Sequence, residues 1–302
     1  MKNFCLKILI CFCVFAILSQ GALAASKQQK NKPVELEIKS YDGFKIVSTL
    51  YIPKYATVKT KAPLVIFLHS ICQDYRNWGK FPQEIKDSLN VAILNLDLRG
   101  HGRSVRNKDG KSRHWQNLSP AEFKKMPEDI IEVLNFLKTE YPEIDHGKIA
   151  IVGASLGATV GLMSASFGDN IDTVIMFSPM LEYKGFDLRL PIVKYGKHPL
   201  LFIVSKKDKY AYESCKELIK YPQGKKKLEV YPFGGHGEAL LEFQPDSGKI
   251  VAKWLKDNFF DGKVSVISAK QAQKKVKKLK YKKVGEYLGK IKTDRDFHRS
   301  IH

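Results

Sequence analysis

A serine in a glycine-flanked turn is the residue whose setting most clearly indicates chemistry. Ser155 lies in Gly153-Ala154-Ser155-Leu156-Gly157, after an apolar run at 149–152 and before an apolar helical pattern. A strand that stops at Gly-x-Ser-x-Gly and turns into a helix is typical of a nucleophile elbow, which holds a serine hydroxyl above the sheet on strained backbone. A side chain at either glycine would meet a neighbouring strand or helix. Ser155 is therefore the predicted nucleophile, and a capping serine in a strand–helix turn is the alternative.

A serine nucleophile requires a base in contact with it and a third group that orients the base. After such an elbow the chain order is nucleophile, acid, histidine. Of the eight histidines, His236 lies in Gly234-Gly235-His236-Gly237 after the last strand pattern, whereas His298 and His302 lie in a basic tail. The sequence predicts His236 as the base.

The acid of this set is predicted to be Asp208, which follows the apolar strand pattern at 200–205. A solvated turn aspartate among lysines is the alternative interpretation of Asp208, and Asp187 and Glu182 are alternative acids. An oxyanion hole needs two backbone N–H donors. The predicted donors are Leu156, directly after the nucleophile, and Ile71, after the strand pattern at 63–68, with Cys72 as the neighbour that could replace Ile71.

The elements that must position these residues follow an alternating strand and helix pattern. Residues 34–39 and 44–51 alternate apolar and polar side chains around Tyr41-Asp42-Gly43, which predicts a hairpin. Continuous apolar runs predict strands covered on both faces, and they occur at 63–69, 91–96, 149–152, 174–177, 200–204 and 228–231. Helical patterns fall at 78–89, 120–141 and 243–259. This alternation predicts a mostly parallel sheet with function at the carboxyl ends of its strands.

Five features of residues 34–260 together resemble the α/β-hydrolase superfamily. They are the elbow, Phe67-Leu68-His69-Ser70, Asp97-Leu98-Arg99-Gly100-His101-Gly102-Arg103-Ser104, Asp208 and His236. The resemblance implies an α/β-hydrolase fold, with a mostly parallel central sheet flanked by helices on both faces, and a serine hydrolase without a cofactor. It also implies that the run containing His101 shapes the loop beneath the site. Ser70 stands where many relatives have glycine. This departure affects the expected conformation of the loop that carries the Ile71 donor.

The segment 178–199 is too short for the large helical cap of some relatives, so we expect no large cap and a fairly open site. Met180, Leu181, Tyr183 and Phe186 are predicted either to line an acyl pocket or to pack at the surface.

Composition limits the chain to one sizeable core. It has 302 residues, of which 44% are hydrophobic, and this suits one α/β domain of ~250 residues. Cys72 and Cys215 are too few to build a disulfide scaffold. We expect Cys72 to be a buried, inert thiol rather than a reactive one. The chain has no His-Glu-x-x-His helix, no paired Cys-His spacing and no phosphate-cradling glycine loop, so no metal or cofactor is predicted.

The N-terminal residues 1–25 predict a secretion signal peptide. Lys2 and Lys7 form a basic start, residues 8–18 are apolar, and Ala22-Leu23-Ala24 precedes a cut before Ala25. The apolar run is short for a membrane span, although an uncleaved anchor is the alternative. No cysteine lies just after the apolar run, which disfavours a lipoprotein. The expected location is periplasmic or extracellular.

The C-terminal residues 261–302 form a basic extension beyond the predicted hydrolase domain at 26–260. Residues 262–302 contain thirteen Lys and Arg and three acidic residues. Their excess of ten positive charges is half of the net charge of +20. Interleaved apolar residues indicate a segment that binds an anionic surface or polymer, and a solvated tail is the alternative. No nucleic-acid recognition motif accompanies this charge.

The sequence as a whole predicts an exported serine hydrolase, most specifically a carboxylesterase acting on small or polymer-attached esters. A peptidase, a thioesterase and an acyltransferase remain alternatives because the same three side chains serve all of them. A non-enzymatic protein that binds anions through its tail is the other class.

Overall fold

A computed structural model describes residues 32–168 and 171–259, where ten strands form one large sheet and one hairpin. The strands are β1 Val34–Lys39, β2 Lys45–Tyr51, β3 Ala62–Leu68, β4 Ala92–Leu96, β5 Ile144–Ala154, β6 Thr173–Phe177, β7 Glu182–Tyr183, β8 Phe186–Asp187, β9 Leu200–Ser205 and β10 Lys226–Tyr231. The large sheet has the order β1-β2-β4-β3-β5-β6-β9-β10. β2 is antiparallel to β1 and β4, and the other neighbouring pairs are parallel. The predicted mostly parallel sheet is confirmed.

Helices cover both faces of this sheet. They are α1 Phe81–Leu89, α2 Pro120–Phe123, α3 Met126–Glu140, α4 Leu156–Ala165, α5 Arg189–Lys194, α6 Lys209–Leu218, α7 Ala239–Phe243 and α8 Asp246–Asn258. Side chains of β3 alternate between two apolar clusters: Leu64 packs with helices α3 to α6, and Phe67 packs with α1 and α8. Burying each such side chain contributes about 1.5–3 kcal/mol to folding. The central strands are held by cores on both sides.

Three predicted helices are each interrupted, and a local residue explains each break. The pattern at 120–141 divides before Pro127, which lacks the N–H that a continuous helix would donate and instead occupies the first turn of α3. The pattern at 243–259 divides at Pro245, so α8 begins at Asp246. The pattern at 78–89 begins later, because Gly79 adopts a φ of +55° between a short 3₁₀ helix and α1.

The predicted hairpin between β1 and β2 is confirmed, and Gly43 has the positive φ of +79° that its turn requires. The secretion signal at 1–25 and the basic extension at 261–302 lie outside the described residues. Within residues 32–168 and 171–259, none of the helices combines the length and the apolar character needed to cross a membrane.

Candidate active site

The turn around Ser155 has the strained geometry that the sequence predicted. β5 ends at Ala154, α4 begins at Leu156, and Ser155 between them has φ +51° and ψ −113°. The Ser155 N–H donates to the Phe177 carbonyl at 2.8 Å, which ties the turn to the end of β6. This φ is rare for a residue with a side chain, so surrounding contacts must hold it.

Both glycines of the turn are sterically required, as predicted. A Cβ on Gly157 would lie 2.1 Å from the carbonyl oxygen of Leu68, at the end of β3. A Cβ on Gly153 would lie 2.5 Å from the carbonyl oxygen of Gly157. Neither neighbour can yield, because both are backbone atoms in the centre of the fold. The elbow therefore depends on close backbone packing.

The Ser155 hydroxyl is covered, and in this respect the open site expected from the sequence is wrong. The residue is fully buried, and its Oγ has no hydrogen-bond partner within the described part of the chain. The segment 178–199 is short, but it folds into the β7–β8 hairpin and α5 against the sheet. Its apolar residues are buried in the larger core cluster and do not lie at the surface: Met180, Leu181, Tyr183 and Phe186.

His236 and Asp208 are brought together at the carboxyl ends of the last two strands. Asp208 follows β9 and His236 follows β10, and His236 Nδ1 lies 2.6 Å from Asp208 Oδ2. When Nδ1 donates to the carboxylate, a neutral imidazole presents Nε2 as the acceptor. The alternative acids Glu182 and Asp187 both pair with Arg189. The structure thus pairs the histidine with Asp208.

The two predicted oxyanion donors follow the ends of adjacent strands, β3 and β5. Ile71 is buried, and Leu156 is the first residue of α4. Neither backbone N–H donates a hydrogen bond within residues 32–168 and 171–259. Such donors can bind a developing oxyanion without first breaking another bond.

Cys72, next to Ile71, differs from the expectation of a buried thiol. It is exposed and has a positive φ of +65°. Partial burial raises the pKa of its thiol, and the charge of Lys184 opposes that rise. A raised pKa leaves less of the reactive thiolate, so the exposed sulfur is a weak nucleophile at neutral pH. Cys215 is buried in α6, and both thiols are free.

A carboxylate that the sequence analysis did not select holds the histidine loop to the oxyanion loop. Glu238 is buried, and its Oε1 and Oε2 accept hydrogen bonds from Ser70 N–H at 2.7 Å and Ser70 Oγ–H at 2.5 Å. Gly237 N–H donates to Ser178 Oγ at 3.0 Å, and a Cβ on Gly237 would lie 2.4 Å from Ser70 Oγ. The signal available in the sequence was the serine at position 70 together with an acidic residue two positions after His236.

The run Asp97–Ser104 builds the loop beneath these residues through backbone contacts. The buried Asp97 carboxylate accepts from Tyr75 N–H at 2.9 Å and from Arg103 Nε at 2.7 Å. Gly102 leaves room for that carboxylate, since a Cβ there would lie 2.6 Å from Asp97 Cγ. Ser104 Oγ–H donates to the Asp97 carbonyl and accepts from Val47 N–H, each at 2.7 Å. The run acts as a structural support.

Two buried histidines in this support are held neutral. His69 Nδ1 lies 2.7 Å from the Ser70 carbonyl, and its Nε2 accepts from Leu98 N–H at 3.0 Å. His101 stacks on Trp115 with ring centroids 5.8 Å apart. Burial lowers the pKa of His69, and burial lowers the pKa of His101 to about 3. Their hydrogen bonds therefore fix the loop without adding charge beside the site.

Within the described residues, no three His, Cys, Asp or Glu side chains are grouped as they would be around a metal ion.

Comparison with known sequences yields one family match and several partial relatives. The family model described as serine aminopeptidase, S33 matches residues 59–194, which include Ser155 and end before Asp208. A probable alcohol acetyltransferase from Cyberlindnera jadinii is 28% identical over 108 residues, 36% of this chain and 25% of that protein. A thiohydrolase from Arthrinium phaeospermum is 28% identical over 151 residues, 48% of this chain and 42% of that protein. The chain thus spans less than half the length of these relatives.

Solved structures show the same architecture over most of the described chain. An esterase from Pyrococcus furiosus superposes with a TM-score of 0.60 at 18% identity, covering 77% of this chain and 93% of that one. Est1E from Butyrivibrio proteoclasticus, solved with ferulic acid bound, gives 0.60 at 19% identity over 75% and 100% of the chains. A dienelactone hydrolase from Anabaena variabilis gives 0.55 at 20% identity over 76% and 100%. The sheet order, the elbow and these matches show that the chain has the α/β-hydrolase fold.

Proposed function

We propose that this protein is a serine esterase that hydrolyses carboxylic esters through an acyl-enzyme. His236 Nε2 takes the proton of Ser155 Oγ as that oxygen attacks the ester carbon, and then gives the proton to the departing alcohol. Water attacks the acyl-enzyme in the second half, with His236 again as base, and releases the carboxylic acid. Asp208 holds His236 in the required tautomer and stabilises its charged form. The N–H groups of Ile71 and Leu156 bind the oxyanion.

The observation that carries this proposal is the 2.6 Å contact between His236 Nδ1 and Asp208 Oδ2. It joins residues that follow two separate strands. Both lie at the carboxyl ends of the strands, where the elbow also presents Ser155. A solvated turn aspartate or an idle loop histidine would not require this pairing. The elbow supplies the nucleophile, and two unengaged N–H groups follow the ends of β3 and β5.

The choice of an ester rests on support from the neighbours of known structure, among them the esterase from Pyrococcus furiosus. Thioester hydrolysis and acyl transfer to an alcohol are the second candidates, because the partial relatives are named a thiohydrolase and probable alcohol acetyltransferases. A peptidase is favoured only by the family model. All of these activities share the acyl-enzyme and differ in the leaving group and the acceptor.

Labelling with a fluorophosphonate probe tests the proposal. The wild type is expected to become labelled at Ser155, and Ser155→Ala and His236→Ala are expected to lose the label while keeping the wild-type circular dichroism spectrum. An unlabelled wild type would contradict the proposal. It would favour the non-enzymatic alternative, in which the tail binds anionic vesicles or polymers without turnover.

Turnover of matched acetyl substrates then separates the activities. A para-nitrophenyl ester, a thioester and an anilide of acetate are compared, with and without an added alcohol. We expect kcat/KM to be highest for the ester. A higher value for the thioester, or acetylation of the alcohol in place of water, would replace esterase by the corresponding second candidate.

We also propose that the protein is exported and that residues 261–302 bind anionic surfaces or polymers. The basic start, the apolar run and the Ala22-Leu23-Ala24 site support export. The thirteen basic residues of the extension support the binding. Edman sequencing of the secreted protein should begin at Ala25. Deleting residues 261–302 should abolish co-sedimentation with anionic vesicles and leave ester turnover intact.

A further inference from the structure

The β7–β8 hairpin lies beside the helix that follows Asp208. Its turn is Lys184-Gly185, whose φ values of +49° and +81° suit a two-residue hairpin turn. Tyr210, two residues after Asp208, donates a hydrogen bond from its Oη–H to the Glu182 carbonyl at 2.7 Å. Burial raises the pKa of the thiol of Cys72, the neighbour of Ile71, and the charge of Lys184 partly offsets that rise. The hairpin therefore contacts the helix that follows the acid.

The Lys184 ammonium is placed by aromatic contacts. Its Nζ lies 5.6 Å from the ring centroid of Tyr183 and 5.7 Å from that of Phe123 in α2. Lys124 approaches the same turn, since a Cβ on Gly185 would lie 3.3 Å from Lys124 Cε. A cation over two ring faces loses part of its rotational freedom and keeps its charge in one place.

The positive charge at this turn is not neutralised by the acids beside it. Glu182 and Asp187, the two carboxylates of the hairpin, both pair with the buried Arg189. Neither Lys184 nor Lys124 forms an ion pair in the described part of the chain. Around Asp208 the same is true of Lys206, Lys207 and Lys209 within the two described ranges. The surface around the site, at the carboxyl ends of the strands, therefore carries a net positive charge.

We propose that the substrate of this site is an ester bearing a negatively charged group, and that Lys184 on the β7–β8 hairpin binds that group. The proposal rests on the proposed esterase function and adds a substrate class to it. A carboxylate held by Lys184 orients the ester between the elbow and the oxyanion loop. The flanking lysines raise the local concentration of anionic substrates.

Two para-nitrophenyl esters of equal length test the proposal: the monoester of adipic acid, whose free carboxylate is ionised, and its methyl ester, which is neutral. For the wild type we expect kcat/KM to be higher for the anionic ester. Lys184→Asn removes the charge with a residue that tolerates the positive φ, so the turn is preserved. It should lower the ratio of the two kcat/KM values about tenfold, as expected for loss of one close charge pair.

Matched variants separate this role from the general positive charge of the protein. Lys184→Arg should retain the wild-type ratio, and Lys184→Glu should invert it. Lys138→Gln removes an exposed lysine near the end of α3. This helix ends just before the start of β5, whereas the site lies at the other end of that strand. Lys138→Gln should change the ratio by less than about twofold, because screening removes interactions beyond the Debye length.

The outcomes are distinguishable. Equal kcat/KM values for the two esters in the wild type, or equal effects of Lys184→Asn and Lys138→Gln, would overturn the substrate class and leave the esterase function standing. Failure to cleave either ester, together with failure of fluorophosphonate labelling, would overturn the esterase function and this inference with it.

Discussion

The two halves of the proposed site are built by different means. The elbow around Ser155 is held by backbone: two glycines in close contact with carbonyl groups and a hydrogen bond to Phe177. The loop of His236 is held by side chains from distant positions, Glu238 on Ser70 and Ser178 on Gly237 N–H. The elbow therefore depends on the absence of side-chain atoms, and the histidine loop depends in addition on polar side chains. Loss of a polar side chain should therefore affect the two halves differently.

The largest effect is expected at the contact that completes the histidine side. Asp208→Asn should lower kcat roughly a thousandfold, because the amide cannot hold His236 in the tautomer that accepts the serine proton. The free energy of unfolding should change little in comparison. Asp187→Asn, at the alternative acid, should lower kcat less than about tenfold. Equal losses in the two variants would remove Asp208 from its proposed role.

The elbow should fail when a single methyl group is added. Gly157→Ala places a Cβ against the Leu68 carbonyl and is expected to lower the free energy of unfolding by about 3 kcal/mol or more. Gly168→Ala is the matched control, because a Cβ there meets nothing within 4 Å. It should stay within about 0.5 kcal/mol of the wild type in urea unfolding. A stable Gly157→Ala protein would show that the elbow can shift.

The histidine loop should instead fail when a carboxylate is removed. Glu238→Ala leaves Ser70 N–H without its acceptor, which should lower the free energy of unfolding by about 2 kcal/mol. Because Ser70 adjoins Ile71, kcat should also fall about tenfold, with a smaller change in KM. The exposed Glu242→Ala, on α7, is the control for a lost charge.

Combining Glu238→Ala with Ser70→Ala sharpens this test. If the two side chains act through each other, the double variant should lose less stability than the sum of the single variants. Strict additivity would show that Glu238 acts elsewhere.

A pH titration of stability separates the elbow from the support beneath the oxyanion loop. The elbow contacts contain no titrating group, whereas the support beneath the oxyanion loop contains His69 and His101. Burial lowers the pKa of His101 to about 3 in the folded protein, from 6.5 in the unfolded chain. Between these values the unfolded chain binds more protons, so stability is lost as the pH falls from 6.5 towards 3. For one proton, the free energy of unfolding falls by about 1.4 kcal/mol for each pH unit in this range.

His101→Phe removes this proton and can keep the stack on Trp115. Urea unfolding from pH 7 to pH 4 should give a shallower dependence of stability on pH for the variant, by up to one proton. An unchanged dependence would show that His101 is not held neutral.

The difference between the two halves also explains what the sequence could predict. The elbow was predictable because its requirements are local: strand, two glycines, serine and helix within one short run. The pairing of β1 with β2 was predictable from Asp42-Gly43 for the same reason. Two of the helix ends that were missed depend on Pro127 and Pro245, which are local signals that the broad apolar pattern outweighed.

The features that could not be predicted depend on contacts between distant segments. The buried state of Ser155 depends on how distant segments pack around the elbow, and residue types alone do not specify that packing. The same holds for the exposure of Cys72, which follows from a backbone turn with positive φ. The role of Glu238 required knowing that a position 168 residues earlier in the chain lies beside it.

That long separation has a consequence for when the protein becomes active. Ser155 and its elbow lie in the middle of the chain, whereas His236, the proposed base, comes after the last strand of the sheet. A chain that is still being synthesised already contains the proposed nucleophile and still lacks the proposed base. In the proposed mechanism, the proton can leave the serine only after β10 has joined the sheet and has brought His236 to the carboxyl ends of the strands. The order of the segments thus delays the proposed activity until the last strand of the sheet has folded.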